Sequence, residues 1–342
     1  MESNIECIFG LLKRIVFIIL LCQTSLLHSF AQEDSVQQSY SDTTTSLFIP
    51  NPLQSQHINN AFNYKKRVYL ISGIHIAVYA GTLFILGQSW YKDFPKTSFH
   101  TFNDSKEWLQ VDKAGHAWTA YNIAKHSKVL WSWAGVPDKK AVVLGGVSSV
   151  AFQTIVEYLD GYSGKWGWSW ADMSANMIGA GFYVAQELSW NEQRLQIKFS
   201  FFPVLYADDI KERVNDLYGK SIPERILKDY NGQTYWLGIN LRSIAPNSQL
   251  PRWLNMAAGY GAKGLFGGFE NRSYGKDGSI VFDRTDIQRT RQWYLSPDID
   301  FTKIKTNKKG LKTLFSLANM IKLPAPALEF SNGKFKGHWL MF

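Results

Sequence analysis

The sequence predicts an α+β protein, in which a bundle of about four apolar helices precedes an antiparallel β domain. Apolar residues recur with helical spacing in four long segments of the N-terminal half. Beyond these segments the spacing changes to strict alternation, beginning with Leu195, Ile197, Phe199 and Phe201. A change of period from 3.6 to 2 indicates that the helices end and strands begin there.

Composition limits the classes of protein that the chain can belong to. Its 342 residues can form more than one domain, and 45% hydrophobic with 19% charged residues excludes a disordered chain. Aromatic residues reach 15%, a level typical of proteins that meet lipid. The net charge of +9 favours an anionic partner without choosing between phospholipid, cell-wall polymer and nucleic acid.

Residues 1–31 have the pattern of a secretory signal peptide. Lys13 and Arg14 precede an apolar run over residues 15–22, and Ala31 ends a small-residue cleavage site. Export predicts a location in the cell envelope, either the outer membrane or the periplasm, with the inner membrane as the alternative. It also excludes nucleic acid as a partner.

The two cysteines, Cys7 and Cys22, both lie in the predicted signal peptide. The mature chain would therefore contain no disulfide, no cysteine-bound metal and no thiol nucleophile. Leu21 precedes Cys22 where a lipobox requires a small residue, which disfavours lipidation at this position.

The remaining chain divides by composition into three parts. Residues 32–60 are rich in Ser, Thr, Gln and Asn and are expected to form a flexible leader. Residues 61–192 form the predicted helical domain and residues 193–342 the predicted β domain. The helices are expected at about 66–86, 113–133, 139–160 and 170–190, and the first is long enough to span a bilayer.

Polar residues of the helical domain fall at three helix ends, which can bring them together. They are Asp112, Lys113, His116, Glu157, Asp160, Asp172 and Asn176. One interpretation is a site for acid–base chemistry or for a divalent metal. The other is that the aspartates cap helices while the remaining residues form a buried hydrogen-bonded network. The pattern lacks the specificity of a known metal or cofactor motif, so we assign neither a metal nor a cofactor.

Three alternating tryptophans, Trp166, Trp168 and Trp170, lie in a glycine-rich loop before the last of these helices. They are candidates for anchors at a membrane interface, and packing within the loop explains them equally well.

Three segments together carry a resemblance. Residues 107–116 read EWLQVDKAGH, residues 157–162 read EYLDGY, and residues 168–179 read WSWADMSANMIG. This series resembles the YfiM-like family of predicted periplasmic lipoproteins, whose function is unknown, and is distantly similar to VanZ-like membrane proteins. It covers about residues 60–195, and the whole chain looks like a longer form found in Bacteroidetes-type bacteria. The resemblance implies an envelope role and no particular reaction.

The β domain contains six or seven candidate strands. They are expected at 195–201, 233–243, 253–265, 279–283, 290–304, 326–331 and 334–342, with a helix at about 310–322. Asn332-Gly333 indicates a hairpin, and Pro297 should place its strand at an edge or divide it. Each of several strands has one apolar face and one face of small or polar residues, as in the strands of outer-membrane barrels. A C-terminal phenylalanine, here Phe342, is also typical of such barrels. A barrel and a periplasmic sheet both remain open.

These observations favour a membrane-associated, non-enzymatic component of the cell envelope that binds lipid or a protein partner. The alternative is an enzyme or binder that acts on a lipid or cell-wall precursor through the His and carboxylate cluster.

Overall fold

A computed structural model describes residues 52–87, 95–275 and 277–341, with side chains from Asn63 onward. The predicted signal peptide, most of the predicted leader and Phe342 lie outside these residues. The chain divides into two compact units. The helical unit comprises residues up to Thr101 and Ile123–Trp168, and the sheet unit comprises Phe102–Asn122 and Ser169–Phe342.

Within residues 52–87 and 95–190, the structure has four long helices, as the sequence predicts. They are α1 (Pro52–Leu86), α2 (Val111–Trp133), α3 (Asp138–Asp160) and α4 (Trp170–Trp190). The first begins at Pro52, so residues 52–60 are helical where the composition indicated an unstructured leader.

Two apolar clusters among the described residues of the helical unit join α1 to its neighbours. In the first, Val68 and Ile71 of α1 pack against Trp131 and Leu144. In the second, Tyr79 and Leu83 of α1 contact Phe152 and Ile155 of α3. Asn63–Leu86 and Asp138–Asp160 are each long and apolar enough to cross a membrane, by length and composition alone.

Glycines allow close helix contacts in both units. A Cβ on Gly145 would lie 2.6 Å from the Ala124 carbonyl oxygen, in the helical unit. In the sheet unit, a Cβ on Gly179 of α4 would overlap the Ala117 carbonyl of α2. Only glycine therefore permits this approach of α4 to α2.

The sheet unit is built on a six-stranded antiparallel sheet in the order β1-β2-β3-β6-β7-β8. Its strands are β1 (Leu195–Phe201), β2 (Gln233–Asn240), β3 (Leu254–Lys263), β6 (Thr290–Ile299), β7 (Ala325–Ser331) and β8 (Lys334–Met341). A separate hairpin joins β4 (Arg272–Tyr274) to β5 (Ile280–Asp283). The α+β class is thus confirmed, and the sheet is open rather than closed into a barrel.

Short helices connect the strands. They are α5 (Lys211–Tyr218), α6 (Ile222–Lys228), α7 (Leu241–Ile244) and α8 (Lys309–Ala318). The helices α5 to α7 were not predicted, because each has at most eight residues and little room for a helical period.

Pro297 lies within β6 without dividing it. Its pairing with Met256 of β3 is kept, whereas pairing of β6 with β7 ends at Leu295, two residues earlier. At Pro297, β6 therefore has a neighbouring strand on one side only. The N–H that proline lacks costs no hydrogen bond between strands at such a position.

The sheet buries its polar face. Lys198 of β1 and Asp298 of β6 are almost fully buried, and Lys198 Nζ lies 2.7 Å from Asp298 Oδ2. Lys198 Nζ also donates to the Ile299 carbonyl oxygen at 2.6 Å. These strands are three positions apart, about 14 Å in a flat sheet, so the contact requires strong curvature toward the polar face.

The opposite, outer face carries an aromatic row through all six strands, set by the register. The row is Phe199, Tyr235, Tyr260, Trp293, Phe330 and Phe335. On β1 to β3 the aromatic residues of this face are covered by residues that include Val111 and Trp118. On β6 to β8 it is exposed.

We expect the two glycines of α4 to respond in opposite directions to alanine. Gly179→Ala should destabilise the protein by about 1–3 kcal/mol, because the methyl group forces α2 and α4 apart. Gly181→Ala is the matched control, since nothing lies within 4 Å of its Cβ position. It should stabilise α4 by about 0.5–1 kcal/mol, and urea unfolding measures both. Equal effects of the two changes would contradict the described contact.

Candidate functional site

A strained turn precedes α2. Glu107–Gln110 forms a 3₁₀ turn in which Trp108, Leu109 and Gln110 have φ values of 48°, 51° and 65°. Left-handed backbone is unfavourable for residues with a Cβ, so the surrounding structure must hold this turn.

The sheet unit holds the turn from several sides. The Trp108 N–H donates to the Gly268 carbonyl at 2.8 Å, and the Tyr260 hydroxyl donates to the Leu109 carbonyl. Arg291 donates to Gln110 Oε1 at 2.6 Å. Strands β3 and β6 thereby fix where α2 begins.

The first turns of α2 rest on the outer face of β2. Val111 is fully buried against a cluster that includes Tyr235, and Gly115 leaves space for the Tyr235 hydroxyl. With this face of α2 on the sheet, Asp112, Lys113 and His116 are positioned on the remaining helix surface.

The start of α4 supplies the second part of the site. Ser169 is its N-cap, and its Oγ accepts a hydrogen bond from the Asp172 backbone N–H at 3.0 Å. The Ser169 hydroxyl donates in turn to Asp104 Oδ1 at 2.5 Å. The capping side chain of α4 is thus Ser169, and Asp172 lies in the first turn, where the helix dipole favours a carboxylate.

Lys113 lies among three carboxylates. Its Nζ is 2.7 Å from Asp104 Oδ2, 2.9 Å from Asp112 Oδ2 and 2.8 Å from Asp172 Oδ1. The four side chains are only 9–12% exposed. We call Asp104, Asp112, Lys113 and Asp172 the Lys113 cluster. It connects the segment before α2, the start of α2 and the start of α4.

The carboxyls of the cluster differ in proton affinity. Burial raises the pKa of Asp112 to about 6, although Lys113 opposes this shift. Burial and a hydrogen bond with Asp104 raise the pKa of Asp172. Hydrogen bonds from Asp172, Lys113 and Ser169 outweigh burial and lower the pKa of Asp104. Asp172 therefore holds a proton in preference to Asp104, a division of roles typical of acid–base pairs.

His116 adjoins this cluster at a more accessible position. Its Nδ1 donates to Asn176 Oδ1 at 3.2 Å, and its Nε2 is 3.5 Å from Asp172 Oδ1. Because an amide oxygen only accepts, the proton of the neutral ring is on Nδ1, and Nε2 faces the Asp172 carboxyl. The His116 side chain is 26% exposed, whereas Asn176 is fully buried.

The same carboxylates have metal-ligand spacing. Oxygens of Asp104, Asp112 and Asp172 lie within 4.8 Å of one another. The Lys113 ammonium is within 2.9 Å of all three, so it offsets one of the negative charges that would attract a cation and lies between the oxygens. A metal at this position would have to displace Lys113.

The predicted site residues are distributed over both units. Asp112, Lys113, His116, Asp172 and Asn176 lie together in the sheet unit. In the helical unit, the end of α3 and the following loop hold the buried Glu157, the partly buried Asp160, and Trp166 and Trp168. Trp170 begins α4 in the sheet unit and is 66% exposed.

Sequence reasoning missed two members of the site, Asp104 and Ser169. Ser169 has a recognisable signal, because a serine three residues before an acidic residue at the start of an apolar run indicates a helix N-cap. Asp104 has no such signal, since its contact with Ser169 spans 65 residues of chain.

The protein therefore combines long helices with an antiparallel sheet, and it has a buried polar cluster where two of its helices begin. Residues 101–187 match a family described as predicted periplasmic lipoprotein (DUF2279). The matched segment contains every residue of the Lys113 cluster, and the match agrees with the predicted location in the cell envelope. Neither the curated proteins nor the solved structures yield a match.

We expect Lys113→Met to destabilise the protein by about 3–5 kcal/mol at pH 7, because three buried carboxylates lose their counter-ion. Without it, the raised pKa values of Asp112 and Asp172 rise further, and the pKa of Asp104 loses the lowering contributed by Lys113. A raised folded pKa means that stability falls as pH increases, so the deficit should be largest above pH 7 and shrink toward pH 5. Urea unfolding across this range is the measurement. The matched control is Lys106→Met, an exposed lysine of the same segment. A pH-independent deficit would contradict the described charges.

Proposed function

We propose that the protein is a non-enzymatic, membrane-associated component of the cell envelope whose sheet unit contacts lipid through its outer face. One observation carries this proposal, namely the inversion of the sheet. Polar residues are buried on the curved inner face, and large apolar residues are exposed on the outer face of β6 to β8. Antiparallel sheets of water-soluble proteins usually have the opposite arrangement.

The exposed part of the outer face is large and aromatic. Exposed fractions are 53% for Trp293, 50% for Leu295, 46% for Leu328, 42% for Phe330 and 71% for Phe335. These residues are neighbours across three paired strands. Monomeric soluble proteins rarely expose contiguous apolar areas of this kind, and each covered Å² contributes about 25 cal/mol.

The buried polar side chains of the inner face are paired within the protein. Gln196 donates to Asp300 Oδ2 at 2.7 Å, and Asn240 donates to Asn255 Oδ1 at 2.9 Å. The Trp236 indole N–H donates to Ser200 Oγ at 2.8 Å. Polar side chains paired within the protein and apolar side chains outside are the pattern expected of a sheet face that contacts lipid.

On this proposal the Lys113 cluster is structural. Lys113 contacts every carboxylate of the cluster, and the cluster ties the starts of α2 and α4 to the segment that contains Asp104. It positions the part of α2 that covers the outer face of β1 to β3.

A dye on β8 tests the proposal. In a chain with Cys7 and Cys22 replaced by serine, Phe335→Cys and Lys336→Cys place a polarity-sensitive dye on adjacent, exposed positions of opposite faces. After reconstitution of the full chain into lipid vesicles, we expect a blue-shifted emission and quenching by brominated acyl chains at position 335 only. Lys336→Cys is the matched control.

The proposal fails if position 335 is quenched by aqueous iodide as strongly as position 336 and by brominated lipid at neither position. That outcome would indicate that the outer face binds a protein partner instead of lipid.

His116 favours one second candidate, an enzyme or binder acting on a lipid or cell-wall precursor. Its Nδ1 is oriented by Asn176, its Nε2 faces the raised-pKa carboxyl of Asp172, and part of its ring is accessible. These are the features of a general base held by a second group.

Mass spectrometry of full-length protein incubated with phospholipid or a polyprenyl-diphosphate-linked cell-wall precursor tests this candidate. If it is right, His116→Ala should lower product formation at least about 100-fold, the usual contribution of a general base, with an unchanged unfolding midpoint. His100→Ala, in the helical unit, is the control. Absence of turnover by the parent protein would contradict an enzyme.

A further inference from the structure

Helix α8 presents its apolar side to solvent. Leu311, Leu314 and Leu317 are 36%, 56% and 49% exposed. Their spacing places them on one side of a helix, and Ile321 and Leu323 extend the exposed apolar surface beyond it. A helix on the surface of a soluble domain normally turns such a side inward.

The C-terminal end of α8 is held firmly against the sheet unit. The exposure of its leucines is therefore a property of the folded unit. Asn319 is buried, donates to Gln196 Oε1 at 2.8 Å and accepts from the Phe301 backbone N–H at 2.9 Å. The Phe315 ring stacks on Phe301 at 6.1 Å. These contacts fix the helix while its leucines point away.

The charge of the segment has one sign. Residues 301–328 contain six lysines and no acidic residue. Lys303 is paired with Glu192 at 2.7 Å, and Lys322 is buried. The remaining lysines, Lys305, Lys308, Lys309 and Lys312, are exposed around α8.

We infer that α8 and its flanking lysines bind the surface of an anionic bilayer, with the leucines in the interface and the lysines at lipid headgroups. A short basic helix with an uncovered apolar face is the form that interfacial helices take. The complementarity of charge favours anionic phospholipid over a neutral bilayer, since each lysine near such a surface contributes to binding. This inference rests on the proposed function and adds the charge class of the lipid.

The test compares the full-length chain with a variant in which Lys308, Lys309 and Lys312 are all replaced by glutamine. Co-flotation measures binding to phosphatidylcholine vesicles and to vesicles with equal parts of phosphatidylcholine and phosphatidylglycerol. The matched control replaces Lys139, Lys211 and Lys220 by glutamine. These are exposed lysines outside the 301–328 segment, and the control has the same net charge.

We expect the α8 variant to lose about a hundredfold in affinity for the anionic vesicles and to bind neutral vesicles like the parent. The control should bind both as the parent does. Equal loss in the two triple variants, or no loss in either, would overturn the role of α8.

The outcomes separate the two proposals. A parent chain that floats equally with both kinds of vesicle, unaffected by the α8 changes, refutes this inference and leaves lipid contact by the sheet in place. A parent chain that floats with neither refutes both. A Leu314→Ser variant should weaken flotation with anionic vesicles, and an unchanged result would overturn the placement of the leucines in the interface.

Discussion

The burial of a polar ion pair inside the sheet determines much of the rest of the sheet unit. Lys198 and Asp298 lie on strands three positions apart, and their contact at 2.7 Å requires the sheet to curl around them. Side chains alternate strictly along a strand, so placing these polar residues inside places the apolar residues outside. One part of that outer face receives the start of α2, through Val111. The other part, on β6 to β8, carries the proposed contact with lipid.

The position of the Lys113 cluster also depends on the sheet. The left-handed turn at Trp108–Gln110 is held by Tyr260 and Arg291, which belong to β3 and β6. The sheet therefore determines where α2 begins and hence where Lys113 lies. The cluster concentrates three carboxylates around one ammonium in a buried environment, where removal of one partner costs more than the pair contributes. Stability and acid–base character arise from the same contacts, which is why Asp172 and His116 also support the second candidate function.

Local patterns predicted the large elements well. The four long helices and six strands follow from periods of 3.6 and 2, and Asn332-Gly333 joins β7 to β8 as its turn chemistry requires. Long-range features were beyond such reasoning. Asp104 joins the site only through the fold, and Pro297 lies in a strand because its neighbour β7 stops pairing earlier. The exposed leucines of α8 are visible in the sequence as an amphipathic helix, but only the structure shows that their side is uncovered.

If the sheet contacts lipid as proposed, the outer face of β6 to β8 lies against the acyl chains of the bilayer. Spin labels placed singly at positions 293, 295, 328, 330 and 335 of the reconstituted chain measure this contact, with position 332 in the hairpin turn as the reference. We expect labels on the face to collide with dissolved oxygen, which concentrates in the bilayer, and to be protected from a water-soluble nickel complex, whereas position 332 should show the reverse. Equal access of the nickel complex to all positions would mean that this face does not contact lipid.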